Sequence, residues 1–125
     1  MSIEPNYTAA SFVLAVHDID ASAAFYQDVL GFEDLNIEAP GWRFMARGPV
    51  RLQIGACPDA MPAEETGDHS YFAYLHVEDA KALHDHATTV GAELIKDLAD
   101  EPWGIREFGL RTPDGHRIMI GQRLS

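Results

Sequence analysis

One order of elements is spelled twice along these 125 residues. Residues 11–16, Ser-Phe-Val-Leu-Ala-Val, read as a short buried strand. A helix from Ala21 to Leu30 follows and groups Ala24, Phe25, Val29 and Leu30 near one face. Asp18 or Asp20 can cap its start, and Gly31 can take the left-handed position at its end. Strands over 42–46 and 50–55 flank a turn at Arg47-Gly48-Pro49, and a further strand is placed over 33–38 despite its charges. The order then restarts with an aromatic-rich strand over 71–77. Asp79 caps a helix from Ala80 to Val90 that Gly91 ends. A short strand over 92–95 precedes strands over 105–111 and 117–120, which are joined by Thr112-Pro113-Asp114-Gly115. In that turn proline presets φ and glycine accepts positive φ.

The two copies align at an offset of 61, with Val16 on Val77, Asp18 on Asp79, Ala21 on Ala82, Val29 on Val90 and Trp42 on Trp103. Gly31 falls on Gly91 at 60, and Leu52-Gln53-Ile54 on Ile118-Met119-Ile120 at 66, so the second copy carries a longer hairpin. The chain is thus one α+β domain over 1–125: a module at about 8–57, a linker at about 58–70 and a module at about 71–122. A unit of roughly 60 residues is marginal alone, so the halves should share a core. The linker region holds Asp59, Glu64, Glu65 and Asp68 and no Lys or Arg, and reads as exposed.

The partner classes narrow from the charge. Twenty acids against nine bases give a formal net charge of −11, and no basic stripe appears. A phosphate backbone or an anionic membrane surface would be repelled, whereas cationic ligands are favoured through a salt-dependent field; the plainer role of such charge is solubility. No apolar run approaches the ~20 residues of a membrane span. Residues 1–7 lack the basic and apolar regions of a signal peptide. The single cysteine, Cys57, has no partner for an internal disulfide, which favours the reducing cytoplasm.

Four separated segments resemble one family. Val16-His17-Asp18-Ile19 leads into Phe25-Tyr26-Gln27-Asp28-Val29-Leu30-Gly31-Phe32; later come Glu101-Pro102-Trp103-Gly104-Ile105-Arg106-Glu107-Phe108 and Thr112-Pro113-Asp114-Gly115-His116. Together they resemble the vicinal oxygen chelate superfamily, most of all its glyoxalase/bleomycin-resistance branch. Thr112 stands where relatives usually carry Asp. The resemblance covers roughly residues 10 to 122. It implies two tandem βαβββ modules whose sheets curl around a shared cleft, in a homodimer. It also implies that metal-dependent relatives place two ligands per module in that cleft.

Carried over to this chain, those ligand positions are Ser11, Gln53, Phe72 and Met119. A metal that polarises oxygen wants imidazole, carboxylate or carbonyl donors. Phe72 offers no lone pair, Met119 offers only a thioether, and Gln53 alone cannot hold an ion. No metal or other cofactor is therefore expected. The six histidines supply no substitute by spacing: His84 and His86 point about 200° apart on a helix. His17 and His116 sit at strand or turn ends, nearer solvent, and His69 is in the linker. His76 shares a strand face with Phe72 and Tyr74 and can line the cleft or be an ordinary hydrogen-bonded histidine; a site built from His76 and Glu107 has no support from spacing. Cys57 carries no signature of an activated thiolate, and no nucleophile elbow, phosphate loop or dinucleotide fingerprint is present.

With Ser11, Gln53, Phe72 and Met119 facing the cleft, as the resemblance implies, alternation along their strands adds Val13, Arg51, Tyr74, His76 and Arg117. Trp42 and Trp103 flank the cleft or a dimer seam, or belong to the core. Glu107 orients a cationic group or is a solvated strand residue. Such a wall, mostly apolar with a few polar groups, suits a small molecule. The function expected is metal-independent binding of an aromatic or cationic compound by a cytoplasmic homodimer, with no nucleic acid and no membrane partner. The alternatives are a lyase, isomerase or dioxygenase with an altered or absent metal site, whose catalytic residues the sequence does not name, and a structural module whose cleft is filled by its own side chains.

Overall fold

A computed structural model describes Ile3 and residues 5–124. The reading of the extreme N-terminus rests in part on Met1, Ser2 and Glu4, which lie outside the described residues.

Each half builds a four-stranded sheet with one helix. The first holds β1 (Phe12–Val16), α1 (Ile19–Asp28), β2 (Glu33–Asp34), β3 (Trp42–Arg47) and β4 (Val50–Ala56), in the order β1-β4-β3-β2. The second holds β5 (Tyr71–His76), α2 (Ala80–Thr89), β6 (Glu93–Glu101), β7 (Ile105–Arg111) and β8 (Arg117–Arg123), in the order β5-β8-β7-β6. In both, the opening strand runs parallel to the last, and the remaining pairs are antiparallel. Two tandem βαβββ modules are therefore present, as the repeat predicts. Among the described residues no helix is long and apolar enough to cross a membrane.

The helices start where the aspartates allow. Asp18 accepts from Ala21 N at 3.0 Å and Asp79 from Ala82 N at 3.0 Å, so α1 begins at Ile19 rather than Ala21. Gly31 and Gly91, with φ of 74° and 84°, end the two turns. Two strands differ from expectation. Only Glu33–Asp34 pairs in the first sheet, because Asp34 turns to cap Asn36 N and to bind Arg43. Conversely, β6 runs nine residues to Glu101, kept in the sheet through two register shifts.

Alternation sorts each sheet into two faces. Leu14, Val16, Met45, Leu52 and Ile54 point to α1, where Phe25, Tyr26 and Phe32 stack edge to face. Phe108, Leu110, Ile118 and Ile120 form the matching layer, with Ala80 and Ala87 of α2 fully buried. Truncating one of these, for example Ile54→Ala, should cost about 2–5 kcal/mol. The modules meet where Phe12 and Phe72 pack edge to face, 5.6 Å apart, and where the His86 ring contacts the Asp28 carbonyl at 2.7 Å.

The region between the modules is exposed at Pro58, Asp59, Met61, Glu64, Glu65 and His69, as its composition suggests, yet it is fitted to the second module at its end. Ala63–His69 forms a 3-10 helix, Ser70 is buried, and its hydroxyl donates to the Gly115 carbonyl at 2.9 Å. Gly115 has φ of 91°, and a Cβ there would lie 2.7 Å from Glu64 N, so the turn and the connector touch backbone to backbone.

Candidate functional site

The faces turned away from the helices carry the remaining sequence candidates. On the first sheet these are Val13, Trp42, Arg51 and Gln53, with Ser11 just before β1; Phe44, which the sequence did not single out, joins them. Trp42 pairs with Gly55, and its indole lies over that glycine, 3.0 Å from where a Cβ would sit. Phe44 stacks beside it at 6.4 Å and 22°. The missing side chain at Gly55 thus lets a large ring lie flat on the backbone. Val13 is 61% exposed and Trp42 41%, so this face stays open within the chain. Arg51 folds back onto the Gly48 carbonyl at 2.6 Å, at the hairpin end.

The second sheet repeats the device with different parts. Gly121 is the counterpart of Gly55, and the ring laid over it is Tyr74, whose Cζ is 2.7 Å from the position of a Cβ. Tyr74 is tilted against His76 at 5.0 Å, so the two do share a face. Its hydroxyl donates to Glu107 Oε1 at 2.9 Å. Lys96 donates to Glu107 Oε2 at 2.6 Å and to Glu101 Oε1 at 2.6 Å. Met119 and Ile95 close over Gly109 in the same layer.

Both oxygens of Glu107 are therefore taken. It is buried, not the solvated strand residue considered from sequence, and it fixes the Tyr74 ring rather than presenting a bare carboxylate to a cation. The Lys96 ammonium holds its carboxyl below the ordinary value against the cost of burial. Burial, then the Glu107 hydrogen bond and charge, push the Tyr74 phenol up to about 12. Lys96 is the functional residue that sequence reasoning missed. Only its reach from the bulged stretch of β6 brings it to Glu107, and a bulge has no signal in a single sequence.

Two placements depart from expectation. Trp103 is not the structural counterpart of Trp42: it lies in the turn between β6 and β7, 68% exposed, while the residue opposite Gly121 is Glu107. The extra residues of the second copy lie mainly in the longer β6 and the turn after it, before β7, and they shift the equivalence from Trp103 to Glu107. Phe72 packs on Phe12 and on the His116 ring at 5.7 Å, because the register shift between Tyr71 and Ala73 interrupts alternation. It lines, with Val13, Ala15, Met61, Tyr71 and His116, a groove beside the first open face. His116 is half-buried there rather than near solvent, and burial lowers its pKa.

The four positions tested for metal binding do not form a donor set. Ser11 lies before β1, Phe72 is in the inter-module packing, and Met119 offers its sulfur beside Gly109. Among the described residues no three His, Cys, Asp or Glu side chains are grouped to hold an ion.

Residues 8–120 match the family model described as Glyoxalase/Bleomycin resistance protein/Dioxygenase superfamily. No curated protein matches in sequence. Among solved structures, the bleomycin resistance determinant encoded on the transposon Tn5 is similar with a TM-score of 0.76 and 24% identity, over 94% of this chain and 98% of that one. TioX from Micromonospora sp. ML1 is similar with a TM-score of 0.73 and 21% identity, over 94% and 98%. A glyoxalase/bleomycin resistance protein/dioxygenase family enzyme from Burkholderia phytofirmans PsJN gives 0.71 and 24%, over 91% and 97%. At these identities the likeness is one of fold.

Proposed function

The chain belongs to the Glyoxalase/Bleomycin resistance protein/Dioxygenase superfamily, and from that premise we propose that it is a metal-independent binding protein that sequesters an aromatic or cationic small molecule. The observation that carries this is the paired floor: Trp42 laid over Gly55 in one module and Tyr74 over Gly121 in the other, the two rings still 41% and 38% exposed. The donor chemistry at Ser11, Gln53, Phe72 and Met119 supports independence from metal. The net charge of −11 supports a cationic ligand through the long-range field, now that Glu107 is engaged.

The protein acts as a homodimer in a reducing compartment. Each open face needs a sheet opposite it to enclose a ligand, and a second copy supplies one. Catalysis is less well supported. An acid or base works best with a pKa near the working pH. Glu107 is held low and Tyr74 is raised to about 12, so neither is poised there.

Thermal shift with bleomycin and with planar aromatic cations tests the reading. A ligand present at about 100 times its Kd should stabilise by ~2.7 kcal/mol, and Trp42→Ala should abolish the shift. No stabilisation by any of these at saturation, or an unchanged shift in the variant, would overturn it.

A further inference from the structure

His17 stands at the end of β1 and touches two other parts of the fold. Its backbone N–H donates to Asp114 Oδ1 at 2.8 Å, and its Nδ1 lies 2.8 Å from the same oxygen. Its Nε2 contacts the Ala60 carbonyl of the connector. A carboxylate and a carbonyl only accept, so the ring meets both only by donating from both nitrogens, as the imidazolium.

The surroundings favour that cation. The Asp114 side chain is 6% exposed. Glu64 of the connector and Asp18 line the same hollow. His116, at 4.0 Å from Asp114 Oδ2, is disfavoured as a cation by its burial, and the buried Tyr26 of α1 is a further titratable neighbour of Asp114. The Ala60 hydrogen bond first and the Asp114 hydrogen bond second raise His17 above its ordinary value.

We infer that His17 is a pH-sensitive clasp: its protonated ring fastens the first module to the connector and to the Pro-Asp-Gly turn of the second, and its deprotonation releases one of those holds. This goes beyond the binding reading and holds whatever occupies the open faces. The folded state favours the proton, so the clasp is fully closed below the unfolded value of 6.5 and loosens as pH rises through the folded one. It also sets a groove wall, because Ala60 and the neighbouring Met61 line the groove that holds Val13 and Phe72.

The test is an NMR titration of the His17 ring in the full chain from about pH 5 to about pH 9, with hydrogen exchange of the amides over 57–63 measured in parallel. His17 should titrate above an ordinary histidine. Exchange over 57–63, corrected for its intrinsic pH dependence, should rise about fivefold through the same titration, and in His17→Gln it should be fast at every pH. A His17 that titrates at or below the ordinary value, or exchange that ignores its titration in the folded chain, would overturn the clasp. Should His17→Gln fail to fold, the titration of the unaltered chain decides alone.

Discussion

The Tyr74 hydroxyl donates a hydrogen bond to Glu107 Oε1 across 2.9 Å, while the ring itself lies over Gly121. The bond converts a movable side chain into a fixed wall of the open face. Tyr74→Phe keeps the ring but leaves Oε1 without its donor, and should cost about 1 kcal/mol. Glu107→Ala removes the acceptor of both Tyr74 and Lys96 from a buried position and should cost about 1–3 kcal/mol. Urea unfolding of both variants checks the order; equal stability to the parent chain would contradict it.

The glycine beneath the ring sets its position. Gly121→Ala places a Cβ within 2.7 Å of Tyr74 Cζ and closer still to the hydroxyl, so the ring must swing off Glu107. The phenol, about 12 in the parent chain, should then fall toward 10.0. NMR of the tyrosine ring carbons across an alkaline titration measures this directly.

Two other glycines should behave unequally. Gly48 has φ of 53° and open space around a Cβ, so Gly48→Ala meets only backbone strain of about 1 kcal/mol. Gly115 adds to its φ of 91° a collision with the Glu64 backbone. Gly115→Ala should exceed the Gly48→Ala loss by more than about 1 kcal/mol, and thermal melts of the pair compare them.

Acid should act through Glu107. Its folded pKa is depressed by Lys96, so its stabilisation is present above the unfolded value of 4.5 and is lost as pH falls through the lower folded value. Lys96→Met removes the first cause of that depression. Melting temperature measured against pH should then fall less steeply below about pH 4.5 in the variant than in the parent chain. Parallel curves would rule out the pair as a source of acid sensitivity.

The modules were legible because helix caps and turns are local signals. Asp18, Asp79 and the Pro-Asp-Gly turn each act within a few residues, and the repeat multiplies them. The open faces were legible as far as alternation held: it put Val13 and Gln53 on one face of the first sheet, and Tyr74, His76 and Met119 on one face of the second. Alternation ended at irregularities. The register shift after Tyr71 sent Phe72 to Phe12, and the shifts in β6 delivered Lys96 to Glu107. His17 gave no warning either, because its partners, Asp114 and Ala60, are 97 and 43 residues away in the chain.

Metal independence rests on four side chains, Ser11, Gln53, Phe72 and Met119, and it is the claim most directly open to measurement. Elemental analysis of tag-free protein, purified without chelator, counts the ions per chain. Zinc, nickel, manganese and iron should all be far below one equivalent. One equivalent of any of them, retained through dialysis, would contradict the proposal and return the family's metal chemistry to this fold.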